Sequence, residues 1–304
     1  MLVTDPAEFL AAFSPERFPA RAAPTARAAF LVSPAGSQLA SESATDNRYM
    51  DLAQTIDPAR ALAQHAGLAR RLGEDVPVVT FAGDPDCPDA MFPNNVFATA
   101  PGRFIVGRMR HAVRQREADR ADIRGFFGDT LGYRTIDLSV ERFVAELTGS
   151  LVIARARGIG YGGLSERCDL AGARAMHEAF GLRLTFCFEL AAGEYHTNVV
   201  MALLAGRFVM LAADGFKDPT VPEAIAQAFD GRVAWLSREQ KNAFCGNAIT
   251  LGPARVWISE RAAGMLDPVH RTVIERSGFA LADVALDEIE KAGGSLRCCV
   301  GEIF

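Results

Sequence analysis

Two apolar runs, 197–204 and 207–213, flank Ala205-Gly206, a spacing that turns one strand back along the next. A chain that pairs neighbouring strands as hairpins is not an all-parallel, doubly wound sheet. Short apolar runs at 76–81, 103–107, 133–138, 150–154, 183–188, 232–236, 255–259 and 279–286 alternate with helical patterns near 114–127, 165–180, 220–230, 237–245 and 267–277. The expected class is therefore mixed α/β. The first well-marked helix is 57–72: Asp57 can cap it, Pro58 suits its first position, and Gly73 can end it in the left-handed conformation. No Pro/Gly/Ser-rich linker divides the chain, which predicts one domain over 29–304 after an Ala/Pro/Arg-rich lead-in over 1–28, made of a short helix and loosely ordered chain. No repeat is visible residue by residue, yet hairpins mixed with helices suit degenerate copies of a ββα-type module.

With 304 residues, 49% of them hydrophobic, the chain can bury a sizeable core. A net charge of −5 with interspersed signs argues against nucleic acid and membrane surfaces as partners. No apolar stretch approaches the ~18 residues of a membrane span, and the N-terminus lacks the basic and apolar regions of a secretory signal. A cytoplasmic protein is expected. Its six cysteines, Cys87, Cys168, Cys187, Cys245, Cys298 and Cys299, then read as free thiols. No CxxC or Cys/His cluster has zinc spacing, so neither a metal nor another cofactor is expected.

One motif points elsewhere. Gly158-Ile159-Gly160-Tyr161-Gly162-Gly163 satisfies GxGxxG after an apolar strand and before a helix, the order of a dinucleotide-binding unit. The helix starts too late for the third glycine to serve helix–strand packing, so a nucleotide-dependent oxidoreductase is the remote alternative. The candidates for other chemistry are dispersed. Cys298 and Cys299 follow a Gly-Gly-Ser turn, and either thiol could be a nucleophile. His196 lies where a loop becomes a strand, the place of a general acid/base or of a strand-edge histidine with satisfied hydrogen bonds. Asn94 and Asn95 follow Pro93 between apolar residues, as a turn or as an uncharged hydrogen-bonding clamp. Glu146 precedes a buried strand, and Arg167 near a helix start could anchor a carboxylate.

Together these motifs resemble the guanidine-modifying superfamily of deiminases, dimethylarginine dimethylaminohydrolases and amidinotransferases, and most of all its citrullinase-type branch. The matching text is Phe92-Pro93-Asn94-Asn95, Thr148-Gly149-Ser150, Leu164 to Arg167, Tyr195-His196-Thr197-Asn198, Asn242 to Asn247, and Gly294 to Cys298 through Glu302-Ile303-Phe304. The resemblance implies the pentein fold, an α/β propeller of five ββαβ-like modules with pseudo-fivefold symmetry. It makes Cys298 the nucleophile, His196 the general acid/base and Glu146 the carboxylate that orients the substrate's terminal nitrogens. Asn95 takes the place of a second carboxylate found in many relatives. Phe92, Asn94, Asn198 and Arg297 join the substrate-binding set, and Arg167 matches an arginine that can hold a substrate carboxylate. The loop 158–163 becomes part of the substrate rim. Val96 and Cys299 depart from the branch, where an aromatic and a methionine are usual. If the segment is extended, Cys299 points away from Cys298 and packs in the core.

The implied activity is cysteine-dependent hydrolysis of a C–N bond in a small citrulline- or arginine-like amino acid through a covalent S-linked intermediate. The alternatives within the superfamily are an amidinotransferase and a dimethylarginine dimethylaminohydrolase. The only expected partner is the amino-acid substrate, with room for a homodimer.

Overall fold

A computed structural model describes residues 1–304. Its strands form five separate sheets built on one local grammar. A strand pairs antiparallel with its successor, a helix follows, and a third strand returns parallel to the second. Phe97–Ala100 pairs antiparallel with Arg103–Val106, which pairs parallel with Arg134–Asp137. Leu151–Ala154, Ile159–Leu164 and Leu184–Glu189 repeat this order around the helix Leu170–Phe180. Met201–Leu204, Phe208–Leu211 and Val233–Trp235 repeat it around Thr220–Ala228. In the next unit Ile249 bridges Trp257 in place of a full first strand, and Arg255–Ser259 pairs parallel with Ala280–Val284. The remaining unit joins distant parts of the chain: Gly301–Ile303 runs antiparallel to Ala28–Val32, which pairs parallel with Val78–Phe81. The repeat lives in backbone pairing, which leaves side chains free to differ, and so it leaves little residue-level trace.

The hairpin at Ala205-Gly206 forms as expected, with both residues at positive φ (46° and 69°), as a two-residue turn of this hand requires. The run before it is not one strand, because Thr197–Val200 is a helical turn and the strand begins at Met201. Asp57 caps Pro58–Leu72 by accepting from Ala59 and Arg60. Gly73, however, is right-handed at φ −61°, and the chain turns further on, where the Val76 amide donates to the Leu72 carbonyl.

Two expectations are corrected. The lead-in holds the expected short helix, Pro6–Ala12, but is not loose: Leu2–Val3 adds in parallel to the edge of Leu184–Glu189, and Phe9 stacks on Phe186 at 4.5 Å. The glycine-rich segment is not a loop, either at a phosphate or at a substrate rim. Residues 159–164 form a central strand paired on both sides. Its glycines serve close packing, since a Cβ on Gly163 would come within 2.4 Å of the Thr197 hydroxyl oxygen. No helix is long and apolar enough to cross a membrane.

Aromatic rings seal the contact between two units. Phe127 stacks on Phe104 at 4.5 Å and meets the edge of Phe30 at 5.2 Å, all three fully buried. Phe127→Ala should cost about 3–5 kcal/mol, because a buried ring leaves a cavity its neighbours cannot close. A lowered urea midpoint at unchanged slope checks this.

Candidate active site

Four of the five first strands are entered through a short helical turn. Pro93–Asn95, Leu147–Ser150, Thr197–Val200 and Leu296–Cys299 precede strands, and Asn247 stands before the Ile249 bridge. Such turns leave backbone groups unpaired, and neighbouring units satisfy them. The Thr148 hydroxyl donates to the Asn94 carbonyl at 3.0 Å. The Asn198 amide donates to the Thr148 carbonyl at 3.3 Å, and the Asn247 amide to the Asn198 carbonyl at 2.9 Å. Asn247 Oδ1 accepts from the Cys298 backbone at 3.3 Å. From Thr148 to Cys298 these residues are spaced by 50, 49 and 51 positions, about one structural unit each.

Cys298 is buried and lies in the helical turn, so the expected extended segment begins only at Gly301. Its sulfur accepts from Asn247 Nδ2 at 3.3 Å, and the Asn198 carboxamide lies 3.9 Å away. Burial pushes the thiol up in pKa, against the Asn247 donor and the positive charges of Arg297 and Arg114. The resting thiol therefore needs a base or a nearby cation before it can attack. Cys299 has no such partners. It packs in the core, with its sulfur 3.5 Å from the Ser295 carbonyl.

His196 is fully buried, and its Nε2 is 2.9 Å from Glu146 Oε2. Its Nδ1 has no partner. Burial lowers the imidazole pKa against the pull of Glu146, which keeps the ring available as a base. For Glu146, burial is outweighed by Arg167 and His196, and the carboxylate lies well below its usual range. Its oxygens also accept from the Arg110 amide at 3.0 Å and from Arg167 Nη1 at 3.3 and 3.4 Å. A carboxylate so engaged orients the histidine and has no oxygen left for the terminal nitrogens of a substrate. The backbone beside it is strained, with Leu147 at φ 21°.

Cys298, Asn95 and Phe92 line one small cavity, together with Asp89, Arg114 and Arg167. The segment 43–50 covers it, held by Ser43 donating to Asp89 and by Asn47 donating to the Gly293 carbonyl. Several buried polar atoms here lack partners: Asp89 Oδ1, both side-chain polar atoms of Asn94, and Asn95 Oδ1. Unpaired buried groups are costly, and their concentration beside a thiol marks a place made for a polar ligand.

Three expected substrate contacts are not made. Arg167 is saturated by protein, giving Nε and Nη2 to Asp46 at 2.8 and 2.5 Å, Nη2 also to the Ser43 carbonyl, and Nη1 to Glu146. Arg297 does not line the cavity, because its guanidinium binds the Val300 carbonyl and Glu302. Asn198 lies against the sulfur, outside the cavity wall. Conversely, Asp89, Arg114 and Asn247 were missed as site residues. Arg114 is buried, bound to Glu117 at 2.7 and 2.9 Å, while its Nη1 donates to no protein acceptor. The signal for Asn247 was its place in a matching motif, and for Asp89 its position just before Phe92.

The fold is that of the pentein, or amidinotransferase, superfamily. Within it the chain belongs to the family described as N,N dimethylarginine dimethylhydrolase, eukaryotic, whose pattern matches residues 34–304. Among relatives, an N(G),N(G)-dimethylarginine dimethylaminohydrolase of Mycobacterium tuberculosis is 27% identical over 301 residues, covering 94% of this chain and 88% of that one. An uncharacterized protein of Bacillus subtilis, YkgA, is 22% identical over 242 residues, covering 78% of this chain and 77% of that one. Among solved structures, the product-bound N-terminal domain of ArgZ, a cyanobacterial arginine dihydrolase, superposes with a TM-score of 0.78 at 17% identity, covering 91% of this chain and 97% of that one. A dimethylarginine dimethylaminohydrolase adduct with S-methyl-L-thiocitrulline gives a TM-score of 0.71 at 20% identity, covering 91% and 99%.

Gly149 separates Asn95 from His196: a Cβ there would lie 2.6 Å from Asn95 Oδ1 and 2.8 Å from His196 Cε1. Gly149→Ala should reduce kcat by roughly 10²-fold by displacing both, with the fold retained in circular dichroism. Glu146 supplies a pH test. Because its folded pKa is depressed, its stabilisation is present above about pH 4.5, its ordinary value, and fades as pH falls below that. The melting-temperature gap between wild type and Glu146→Gln should therefore narrow between about pH 5 and pH 3.

Proposed function

We propose that this chain hydrolyses a C–N bond of a small ureido or guanidino amino acid, with Cys298 as nucleophile and His196 as general acid/base. The observation that carries this reading is the cavity whose wall brings the Cys298 thiol together with unpartnered Asp89 and Asn95 oxygens and a spare Arg114 Nη1. A guanidino or ureido carbon is deactivated by resonance. His196 takes the thiol proton, the thiolate forms the C–S bond as the C–N bond breaks, and the His196 imidazolium gives that proton to the departing amine. The same imidazole then takes a proton from water, which attacks the S-linked carbon and frees the thiol. Glu146 steadies the imidazolium. A cationic substrate or the imidazolium draws the buried thiol toward thiolate.

Arg114 and Asp89 suit the two charged ends of an amino acid, the carboxylate and the ammonium respectively. Asn94 and Asn95 suit the reacting end. A neutral amide accepts N–H groups and donates to a ureido oxygen, whereas it compensates a buried guanidinium less well than a carboxylate would. This favours citrulline-like substrates, or arginine taken through citrulline to ornithine. Methylated arginine is the second reading, favoured by the family's description and by the mycobacterial relative. An amidinotransferase would need water excluded and an amine acceptor admitted. We also read the five sheets as one pentein domain closed about a pseudo-fivefold axis, an arrangement the relay from Asn94 to Cys298 supports.

Product analysis tests the proposal. Citrulline, arginine and dimethylarginine are each incubated with the protein, and ammonia, dimethylamine, citrulline and ornithine are measured. Ammonia with ornithine is expected from citrulline, and dimethylamine would select the second reading. Cys298→Ser should lose roughly 10³-fold or more in kcat, and full turnover by that variant would overturn the mechanism.

A further inference from the structure

A second, half-open well shares no lining residue with the Cys298 cavity. Thr148, Asn198 and Arg297 line it, so it adjoins the turns that carry the active site. Its charge is unbalanced. Arg155 and Arg297 share one carboxylate, Glu302, at 3.6 and 2.9 Å. Arg297 is otherwise tied to the Val300 carbonyl at 2.8 Å. Arg155 gives Nη1 to the Thr99 carbonyl at 2.9 Å and lies 4.2 Å over the Phe304 ring, and its Nε and Nη2 donate no hydrogen bond to protein. Burial pushes the Arg155 guanidinium down to about 10, and Arg297 adds to the push against Glu302. A guanidinium remains charged under any ordinary condition, so that shift expresses an uncompensated positive charge. The Thr250 hydroxyl, which accepts from the Ala205 amide at 2.9 Å, adds a rotatable donor to the same wall.

We propose that this well binds a small oxyanion, a carboxylate or a phosphate, between Arg155 and Arg297. The forked donors of two guanidiniums match the paired oxygens of such a group, and one further negative charge balances the cluster. Leu203 and Pro24 at the half-open wall limit the ligand to a compact ion. The proposal does not rest on the activity proposed above.

The test titrates inorganic phosphate and, separately, succinate into the full chain at constant ionic strength set with sodium chloride, and follows the melting temperature. Wild type should show a saturable rise of roughly 2–4 °C with at least one of the two anions, and the anion that produces it identifies the ligand class. The rise should vanish in Arg155→Met. It should also vanish in Leu203→Glu, which keeps both arginines and places a carboxylate in the well, so misfolding of the first variant leaves the question decidable. Arg114→Met, in the other cavity, should keep the rise. No saturable rise in wild type, an undiminished rise in Leu203→Glu, or its loss in Arg114→Met would each overturn the proposal.

Discussion

The hydrogen-bond relay that passes from Asn94 through Thr148, Asn198 and Asn247 to Cys298 is the constraint on which the rest of the molecule depends. Each sheet here has only two to four strands and depends for its stability on packing its apolar faces. Each must bury its faces against neighbours, and the relay fixes how neighbouring units meet. Because its members sit in the turns that open the first strands, the same bonds that join the units also aim side chains at a common centre. Structural cohesion and site geometry are one set of contacts, and for that reason the reactive sulfur is held by the amide of Asn247 from another unit.

Around that centre the protein buries an unusual amount of charge. Glu146 and Arg167 are nearly or fully inaccessible, as are Arg114, Glu117, Glu194 and Lys241. Removing such groups from water costs several kcal/mol each, and only close pairing repays it. The pairing is close: Arg114 grips Glu117 bidentately, and Lys241 lies 2.7 Å from Glu194 and 2.9 Å from Asp214. The segment over the cavity is tied into the same network. Asp46 binds Arg167, and Tyr49 and Arg48 reach Glu194. The cover is thus anchored by charge and hydrogen bonds, while Asp89 Oδ1 and Asn95 Oδ1 on the cavity wall are left unpaired.

Several site residues were legible because chemistry restricts their type. A thiol after a Gly-Gly-Ser turn, a histidine among polar neighbours and paired asparagines after a proline each stood out locally. What those residues touch was not legible. Glu146 reads as a substrate clamp until its oxygens are found on His196, Arg110 and Arg167. Arg167 reads as a free anchor until Asp46, from 121 positions away, occupies it. The glycines of 158–163 resembled a phosphate cradle, since glycine spacing records only that side chains are unwelcome. Here the excluding neighbours are Thr197, Leu151 and Leu182, not a nucleotide.

By itself the sequence determined the alternation of hairpins and helices, the capped helix after Asp57, and the identity of thiol, imidazole and carboxylate, because strand period, capping and reactivity are local properties of residues. Tertiary structure alone decided that Gly301–Ile303 completes a sheet begun at Ala28, that the terminal thiol sits in a helical turn, and that Arg297 serves a different cavity from Cys298. Those outcomes depend on pairing between segments far apart in the chain, where the burial of one unit's turn is settled by the donors of the next.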